Sequence, residues 1–407
     1  MDMNSLISTY TNNEYTFDTL KDNKDAICEL VSKGLLRLMV TEVINYKRAN
    51  NQFSKFKQRR SYSGKIINNI YVNPATGETL NVDGLTKLFD VAPADVKSAV
   101  RKHTDNKSYS VTYNKDELFK AFASEEALLQ FINEIINSLY NGSEIHDKDE
   151  FLSLFSDMYN NNLCRVVTTS AVDASNISEF AVTLKTYVES FKQESNKYNV
   201  WKRLNPHDTS AVFWSLPEDI NIILPIGVAA RLDVQLLAQM FNIERAEVDG
   251  RIYTVDADKL PSGVQAIIFD STLVKIDEIF AELEPTFYDS SVRRYKEIYN
   301  TSEEYGINPF ANCVVLATAA ASVPATAVRS QTVNVTSGVK KTIALEVVPV
   351  GANATIVAVP GKVTTTAAIA YDALTGWSLD ITATADDTIT FTVGGDAIDG
   401  TITVDVA

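Results

Sequence analysis

Residues 124–162, SEEALLQFINEIINSLYNGSEIHDKDEFLSLFSDMYNNN, are the stretch around which the chain is organised. Apolar residues in its first half recur at steps of three and four, the period of an α-helix with one broad apolar face. They are Ala127, Leu128, Phe131, Ile132, Ile135, Ile136 and Leu139. Ser124 offers a hydroxyl to cap the first amides, and Glu125 and Glu126 suit the positive end of the helix dipole. The pattern predicts a long helix.

The second half of this stretch predicts a shorter helix. Asn141, Gly142 and Ser143 are expected to break or kink the first helix, because glycine is a poor helix former. A second apolar face then resumes at Phe151, Leu152, Leu154, Phe155 and Met158. An ordinary core helix has the same period, so periodicity alone gives this stretch no special role. Its setting favours a special role, since strand-rich sequence precedes the stretch and mixed α/β sequence follows it.

The length and charge of the chain narrow its class. A chain of 407 residues predicts two or three domains with a sizeable core. The net charge of −15 is uneven: 18 Lys+Arg against 14 Asp+Glu in residues 1–123, 15 against 30 in 124–323, and 4 against 8 in 324–407. A basic first part and an acidic middle suit contact between unlike regions of neighbouring subunits, although solvated surface charge explains them as well. Nucleic-acid binding as the main task is disfavoured, because most of the surface repels phosphates.

Cysteine usage and the N-terminal sequence bear on the compartment. Cys28, Cys164 and Cys313 are widely separated and odd in number, so they form neither a disulfide framework nor a metal-binding pattern. A reducing compartment is the expectation. The first residues lack a basic start and an apolar run, so we expect no signal peptide, and no run of about 18 apolar residues predicts a membrane span.

Residues 44–85 form a polar excursion from the rest of the chain. Short β-type runs alternate with polar and turn residues, and Asn73-Pro74-Ala75-Thr76-Gly77 is a clear turn signal. The pattern predicts a long hairpin with few apolar residues of its own. Such a hairpin needs another surface to lie on.

A run of basic residues lies inside this excursion, with no carboxylate between Glu42 and Glu78. It consists of Lys47, Arg48, Lys55, Lys57, Arg59, Arg60 and Lys65. Three interpretations remain open: a solvated loop, a segment that docks on an acidic neighbouring subunit, and a nucleic-acid patch. Aromatic residues between the charges fit single-strand binding and protein interfaces equally well. The candidate inter-subunit residues are Lys55, Lys57, Arg59 and Arg60.

The remainder up to Pro324 predicts mixed α/β structure. A short helical piece is expected at residues 96–100 and a strand at 109–113. After the organising helix, strands are expected at 166–169, 219–225, 251–255 and 264–269, and helices at 177–201 and 232–241. Strands that alternate with helices are typical of an α/β domain with one central sheet. Residues 314–317 predict a further strand before a linker of small residues.

Composition changes sharply at Pro324. Residues 325–407 lack His, Cys and Met and are dominated by Val, Thr, Ala, Ile and Gly. Seven short strand-like runs lie at 332–335, 342–348, 354–359, 363–369, 377–384, 388–393 and 401–406. Their close spacing predicts a β-sandwich of immunoglobulin-like type, with Trp377 as the central core aromatic.

No catalytic signature stands out. The phosphate-loop, zinc-protease, nucleophile-elbow and paired CxxC motifs are absent from the sequence. His103, His146 and His207 lie in polar surroundings with no ligand spacing, so each is expected to be a surface histidine. The acids Asp147, Asp149 and Glu150 are expected to be solvated turn or helix-cap residues, and Asp396 and Asp399 turn residues. We therefore expect no enzyme and no cofactor.

The order of these segments resembles the major capsid proteins of small picovirus-type podophages. The similarity is strongest at residues 131–161, 232–256 and 308–317, and it covers the chain from about residue 45. It implies an α+β fold of the Hong Kong 97 type, with an extended loop, a long spine helix, and peripheral and axial domains. It also implies an appended immunoglobulin-like β-sandwich at the C-terminus.

This resemblance implies specific bounds. The shell domain covers residues 1–323, with an arm at 1–22, the extended loop at about 43–85, the spine helix region at 124–162 and the axial domain at about 165–300. Residues 308–317 return to the peripheral domain, and the sandwich covers 325–407. The family has no catalytic residues to carry over.

The resemblance also implies partners and location. The chain is expected to form hexamers and pentamers of a phage head, with a scaffold protein and a portal. The head encloses packaged double-stranded DNA without sequence-specific binding, and the expected location is the virion, assembled in the host bacterial cytoplasm. Residues 325–407 are a candidate for contact with host surface glycans. The alternative is a surface adhesin or carbohydrate-binding protein with an immunoglobulin-like module.

Overall fold

A computed structural model describes most of the chain in separate ranges. The described residues are 51–59, 67–75, 94–101, 104–114, 125–173, 175–205, 208, 210–232, 251–284, 287–289, 291, 294–366, 368–372 and 375–406. The predicted arm at residues 1–22 and nearly all of the predicted helix at 232–241 lie outside them. The chain divides into two compact units. Unit one comprises residues 1–66, 102–151 and 275–306, and unit two comprises 67–101, 152–274 and 307–407.

Four α-helices and twenty-two strands occur in the described residues. The helices are α1 (Glu125–Asn160), α2 (Ile177–Phe191), α3 (Val200–Leu204) and α4 (Ile226–Ala229). The strands before residue 320 are β1 (Lys57–Arg59), β2 (Ile67–Val72), β3 (Val96–Arg101), β4 (Thr104–Asn114), β5 (Arg165–Thr168), β6 (Ile220–Pro225), β7 (Ile252–Val255), β8 (Val264–Asp270), β9 (Val274–Leu283), β10 (Phe287–Asp289), β11 (Arg294–Ile307) and β12 (Cys313–Ala317). The strands after it are β13 (Ala327–Val328), β14 (Gln331–Val335), β15 (Lys340–Leu345), β16 (Val347–Val348), β17 (Ile356–Val359), β18 (Thr364–Thr365), β19 (Ala368–Ile369), β20 (Trp377–Thr382), β21 (Asp387–Val393) and β22 (Asp396–Val406). None of the described helices combines the length and the apolar character that a bilayer crossing requires.

Helix α1 is continuous over 36 residues, so a break at Asn141-Gly142-Ser143 is wrong, and the alternative of a kink there stays a prediction. A Cβ added to Gly142 would lie 3.2 Å from Cδ1 of Tyr109, which shows how closely the β4 tyrosine approaches the helix there. The missing side chain thus makes room for a packed aromatic ring, and packing overrides the weak helix propensity of glycine. The predicted second face is confirmed, because Phe151, Leu152, Phe155 and Met158 are buried; the side chains of most first-half positions lie outside the described part.

Unit one contains a sheet in the order β1-β9-β11-β10, with β4 also paired to β11. β1 runs parallel to β9, with Lys57 beside Ile276, and β4 runs antiparallel to β11 over the whole of its length. The predicted strand at 109–113 is confirmed as part of β4. Residues 295–305 lie within the long strand β11, which buries alternate residues in its first half and every residue from 301 to 306.

Unit two contains a second sheet in the order β5-β12-β8-β6-β7, which confirms the strands predicted between residues 166 and 317. Helix α2 buries Phe180, Leu184, Val188 and Phe191 in a cluster with Ile268 of the sheet. The neighbouring Phe269 packs edge-on against Phe155 of α1, with ring centroids 4.9 Å apart. Because successive strand residues point to opposite faces, the sheet is covered on both sides.

Strand pairing distributes the segments between the two units. Strands β9 and β11 belong largely to unit one. β12 lies in unit two between β5, to which it is parallel, and β8, to which it is antiparallel, a pairing that sequence order does not reveal. The bounds given above for the axial and peripheral domains stay predictions.

Strands β2 and β3 form an antiparallel two-stranded sheet in unit two. The helical piece predicted at residues 96–100 is therefore wrong, since these residues pair with β2 in full register from Val72↔Val96 to Ile67↔Arg101. Val96 and Val100 are β-branched, and cross-strand pairing outweighs a helical spacing of only one turn.

Residues 325–406 form a seven-stranded and a three-stranded sheet around one hydrophobic core. All seven predicted strand-like runs coincide with strands. Trp377 is buried in this core, as predicted, together with Phe391. Asp396 and Asp399 lie within β22, so their assignment to a turn is wrong; the turn is made by Gly394 and Gly395, whose φ angles are 61° and 99°.

Candidate functional site

Two aromatic side chains anchor the segment before β1 within unit one. The rings of Phe53 and Phe56 stack on the ring of Phe151 in α1, with centroids 4.2 Å and 5.1 Å apart. The Phe53 amide donates to Asn51 Oδ1 at 2.9 Å, which fixes the entry into a short 3₁₀ turn at Ser54–Phe56. Part of the excursion therefore packs on its own chain.

The Lys57 ammonium enters a cluster of carboxylates directly after these anchors. It donates to Asp147 Oδ2 at 2.8 Å, lies 3.3 Å from Glu278 Oε2 and also donates to Glu303 Oε1. The Lys57 side chain is 12% exposed and that of Asp147 only 2%. Asp147 was expected to be a solvated turn or cap residue; that expectation is wrong, because it lies in the interior of α1 facing this lysine.

We call Lys57, Asp147, Glu278 and Glu303 the lysine cluster. Its electrostatics favour the charged form of the lysine. Burial alone would lower the pKa of Lys57, but the three carboxylates outweigh it and hold the pKa above its usual value. Burial, and then the charges of Asp147 and Glu303, raise the pKa of Tyr109, which keeps this phenol neutral. This ion cluster holds the start of β1 in place against α1, β9 and β11.

Further acidic side chains are buried around the same sheet. Glu297 and Glu304 of β11 and Asp277 of β9 are almost inaccessible to solvent. The Tyr113 hydroxyl donates to Glu297 Oε1 at 2.9 Å, and the Tyr305 hydroxyl donates to Glu303 Oε2 at 2.6 Å. The excess of acid in the middle of the chain is thus partly internal. The amino-acid composition does not show which of these acidic side chains are buried beside tyrosine hydroxyls.

The structure separates the four predicted inter-subunit residues. Lys55 and Arg59 are exposed, Lys57 is engaged within its own chain, and Arg60 lies outside the described residues. Contact with a neighbouring subunit stays a prediction for Lys55, Arg59 and Arg60. For Lys57, the ion pairs of the lysine cluster already occupy the ammonium.

A half-buried histidine joins two carboxylates nearby. Nε2 of His146 lies 2.5 Å from Asp105 Oδ2 and 4.0 Å from Glu150 Oε1, and a ligand atom from each residue lies within 4.8 Å of the others. These atom types suit a divalent cation. Asp105 also pairs with Lys107 at 3.4 Å, and a hydrogen bond accounts for the His146 contact. His103 and His207 lie outside the described residues.

One face of the β2–β3 hairpin is apolar and exposed. Ile70, Val72 and Val96 are 63%, 54% and 52% exposed. Val72 and Val96 are direct cross-strand partners and Ile70 lies two residues from Val72, so the three side chains share one face. We call this set the hairpin patch. Contiguous exposed apolar side chains are typical of a surface that another molecule covers.

The opposite face of the hairpin is fixed within unit two. The Tyr71 ring lies with its centroid 4.3 Å from that of Phe213 and 5.7 Å from that of Phe310. Its hydroxyl donates to the Val212 carbonyl at 2.7 Å. The sequence predicted a hairpin within residues 44–85, whereas β2 pairs with β3 beyond that range. Alternation along β2 could have indicated its two faces. The partner residues from beyond residue 200 could not be read from the sequence.

A family model described as Phi29-like phage major capsid protein matches residues 8–317 of this chain. The major capsid protein of Bacillus phage PZA is 27% identical over 230 residues, which are 56% of this chain and 50% of that protein. The major capsid protein of Bacillus phage B103 is 24% identical over 271 residues, 66% of this chain and 59% of that protein. The chain therefore spans between half and three fifths of the length of these relatives.

A solved structure shares the fold. The capsid structure of Staphylococcus phage Andhra aligns with a TM-score of 0.53 and 15% sequence identity, over 67% of this chain and 84% of that chain. At this identity the likeness concerns the fold alone. It is a mixed α and β fold of the kind found in phage capsids.

Proposed function

The chain belongs to the family of Phi29-like phage major capsid proteins, and from that membership we propose that its copies assemble into the shell of a tailed-phage head. The observation that carries this proposal is the family match over residues 8–317, which covers nearly all of unit one and the part of unit two before residue 318. A structural rather than an enzymatic role follows from it. The surface-adhesin alternative has no support in the comparisons.

The finer fold that we propose is of the Hong Kong 97 type. Three features support it: the 36-residue helix α1 as the spine, the β2–β3 hairpin as the extended loop, and the five-stranded sheet of unit two as the core of the axial domain. The extended loop then reaches to β3 at Val96–Arg101, beyond the bound of 85 expected from the sequence. The sheet of unit one becomes the peripheral domain.

The hairpin patch supports contact with a second copy of the chain. A hairpin fixed to its own chain through Tyr71 presents Ile70, Val72 and Val96 outward, where a neighbouring subunit would remove them from water. Burying an exposed valine or isoleucine side chain contributes about 1.5–3 kcal/mol. The exposed charges of Lys55 and Arg59 would set register on an acidic neighbour rather than supply most of the affinity.

We propose the partners that a subunit of a phage head requires. They are further copies in hexamers and pentamers, a scaffold protein, a portal, and packaged double-stranded DNA held without sequence-specific contacts. We propose the virion as the location, after assembly in the host bacterial cytoplasm. Residues 325–407 are proposed to be an immunoglobulin-like domain that binds host surface glycans or reinforces neighbouring subunits, supported by their own hydrophobic core.

A paired substitution tests the shell and the patch. The chain is expressed with the scaffold protein of its phage, and particles are counted by gradient sedimentation and negative-stain microscopy. Ile70→Lys with Val72→Lys should leave the subunit folded, because both side chains are exposed, and should abolish particles. Val357→Lys with Val359→Lys, which changes two exposed valines of β17, is the matched control and should still assemble.

Two results would count against the proposal. Normal particles from the hairpin variant would remove the hairpin patch from the lattice. A wild-type chain that stays monomeric at every concentration, with and without scaffold, would contradict the shell function itself.

A further inference from the structure

A cavity of about 430 Å³ lies within unit two, a volume in the range of small-molecule sites. Its wall comes from residues just after α1, from β5, α2 and α3, and from loops between the strands after residue 325. The lining residues that matter here are Arg165, Lys197, Asn199, Lys202, Arg203 and Tyr371. We call this cavity the arginine pocket.

The charge of the arginine pocket is one-sided. Four of its lining residues are cationic and, among the described residues that line it, none carries a carboxylate. The whole chain has a net charge of −15, so a wall of this composition departs from the rest of the molecule. Cations that converge on a cavity with low-dielectric walls attract anions strongly.

Two buried side chains of the wall carry hydrogen-bond donors without acceptors in the described structure. Nδ2 of Asn199 and Nη1 of Arg203 have no partner, although the residues are only 4% and 6% exposed. Nη1 of the half-buried Arg165 also lacks one. Buried donors are nearly always paired, so unpaired donors that line one cavity are available to a group bound there.

The surroundings of Arg203 explain why a donor remains. Its Nε donates to the Asn162 carbonyl at 2.7 Å, and Nη2 donates to the carbonyls of Gly351 and Ala352 at 2.8 Å and 3.0 Å. The guanidinium carbon lies 3.5 Å from the centroid of the Tyr371 ring. All of these partners are uncharged, so the guanidinium is held rigidly with its charge uncompensated.

Burial acts on both cations of α3. It lowers the pKa of Arg203 to about 10 and also lowers the pKa of Lys202 from its ordinary value. For Arg203 the direction agrees with the geometry, because its hydrogen-bond partners are uncharged and desolvation disfavours the charged form. An anion in the cavity would reverse this penalty.

We propose that the arginine pocket binds a small free oxyanion of phosphate chemistry that carries two or more negative charges. Guanidinium groups match phosphate oxygens in planar pairs of hydrogen bonds, and charge-assisted bonds of this kind are the strong ones. Arg165 and Arg203 supply guanidinium donors, Asn199 supplies a neutral donor, and the lysines supply charge. The site is independent of the proposed role in the shell.

Pyrophosphate is the probe for the test. Thermal unfolding of the full chain is followed during titration with sodium pyrophosphate, with sodium chloride at matched ionic strength as the reference. A saturable rise in Tm beyond that in chloride is expected, and calorimetry then gives the dissociation constant. Equal Tm values in the two salts would overturn the proposal.

Three substitutions locate the site. Asn199→Asp keeps the side-chain oxygen that accepts from the Lys202 amide at 2.7 Å but replaces the unpaired donor with a negative oxygen. It should weaken pyrophosphate about tenfold or more. Lys197→Gln changes an exposed residue, so it should fold normally and weaken binding several-fold. Lys259→Gln, an exposed lysine away from the cavity, is the control and should bind as wild type.

Two further outcomes would overturn the proposal that the arginine pocket binds a small anion. Wild-type affinity in both Asn199→Asp and Lys197→Gln would place the anion elsewhere and overturn the proposal. An oligothymidylate without terminal phosphates serves as the phosphodiester arm. If it binds more tightly than pyrophosphate and responds to the same substitutions, the pocket is a nucleic-acid contact and the small-anion proposal is wrong.

Discussion

The Lys57 ammonium lies 2.8 Å from the Asp147 carboxylate, although 90 positions separate the two residues in the chain. This ion pair joins the basic excursion to the middle of α1. One charge of the basic excursion and one charge of the acidic middle of the chain thus form a contact inside unit one. Docking on another subunit is one of the three interpretations open for this stretch, which at this residue is packed into its own chain.

Lys57→Met should destabilise the chain by about 3–5 kcal/mol, because the carboxylates of the lysine cluster lose the cation that offsets their burial. Urea unfolding of the unassembled chain measures this change in the free energy of unfolding. Lys362→Met, at an exposed lysine, should change the free energy of unfolding by about 0.5 kcal/mol or less. Equal effects of the two substitutions would argue against a stabilising role for the cluster.

The pH dependence of this difference follows from the raised pKa of Lys57. A raised folded-state pKa contributes stability that is fully present below the unfolded pKa of about 10.4 and is lost as the pH rises through the folded value. The gap between wild type and Lys57→Met should therefore stay constant from neutral pH to about pH 9. A gap that closes near neutrality would contradict this account.

Gly142 and Tyr109 should be energetically coupled. Gly142→Ala should gain about 1 kcal/mol of helix propensity and lose a similar amount, because the new methyl group would lie 3.2 Å from the Tyr109 ring. In a Tyr109→Ala background the same substitution should show the full gain. A double-mutant cycle by urea unfolding gives the coupling, and a coupling near zero would refute the packing explanation for the continuous helix.

Gly351→Ala should weaken the attachment of residues 325–406 to the end of α1. The added Cβ would lie 1.7 Å from the Asn161 carbonyl oxygen, so the backbone must shift, at a cost of about 1–3 kcal/mol. Calorimetry should show a lower Tm. Gly227→Ala is the control, since nothing lies within 4 Å of its Cβ position, and it should be neutral or slightly stabilising.

Residues 325–407 should fold as a separate fragment, because twenty residues between Ala325 and Val404 form a hydrophobic core of their own. A chain that ends at Val323 should still assemble, but with a lower Tm, since Arg203 loses the Gly351 and Ala352 carbonyls. Circular dichroism of the fragment and microscopy of the shortened chain check this. A folded shortened chain that forms no particles would make residues 325–407 part of the lattice.

Cys313 should resist alkylation in the native chain. A hydrogen bond with the Cys164 side chain and complete burial raise the pKa of the Cys313 thiol well above its ordinary value. The reactive thiolate is therefore scarce at pH 8, whereas urea-unfolded chain should react at the rate of an ordinary cysteine. Mass spectrometry of iodoacetamide-treated peptides measures both rates. Equal rates would exclude this burial.

Local pattern was enough for much of the fold. The apolar faces of α1 around Phe155 and of α2 around Leu184 were predictable, because helix periodicity is a property of neighbouring residues. The strand runs after Pro324 and the buried Trp377 were predictable for the same reason. The exposed position of Lys55 and Arg59 also agrees with the polar character of their segment.

The amino-acid sequence by itself determined the period of many of the elements, the change of composition at Pro324 and the resemblance to a capsid family. Only the tertiary structure decided that Lys57 faces Asp147, that α1 continues through Gly142, that Cys164 contacts Cys313 and that Arg203 and Asn199 line one cavity. Periodicity and propensity are set within a few residues of chain. The surroundings of a charge, a thiol or a donor depend on partners that the fold brings together from distant segments. Arg203 and Ala352 are 149 positions apart, and Lys57 and Glu303 are 246 positions apart.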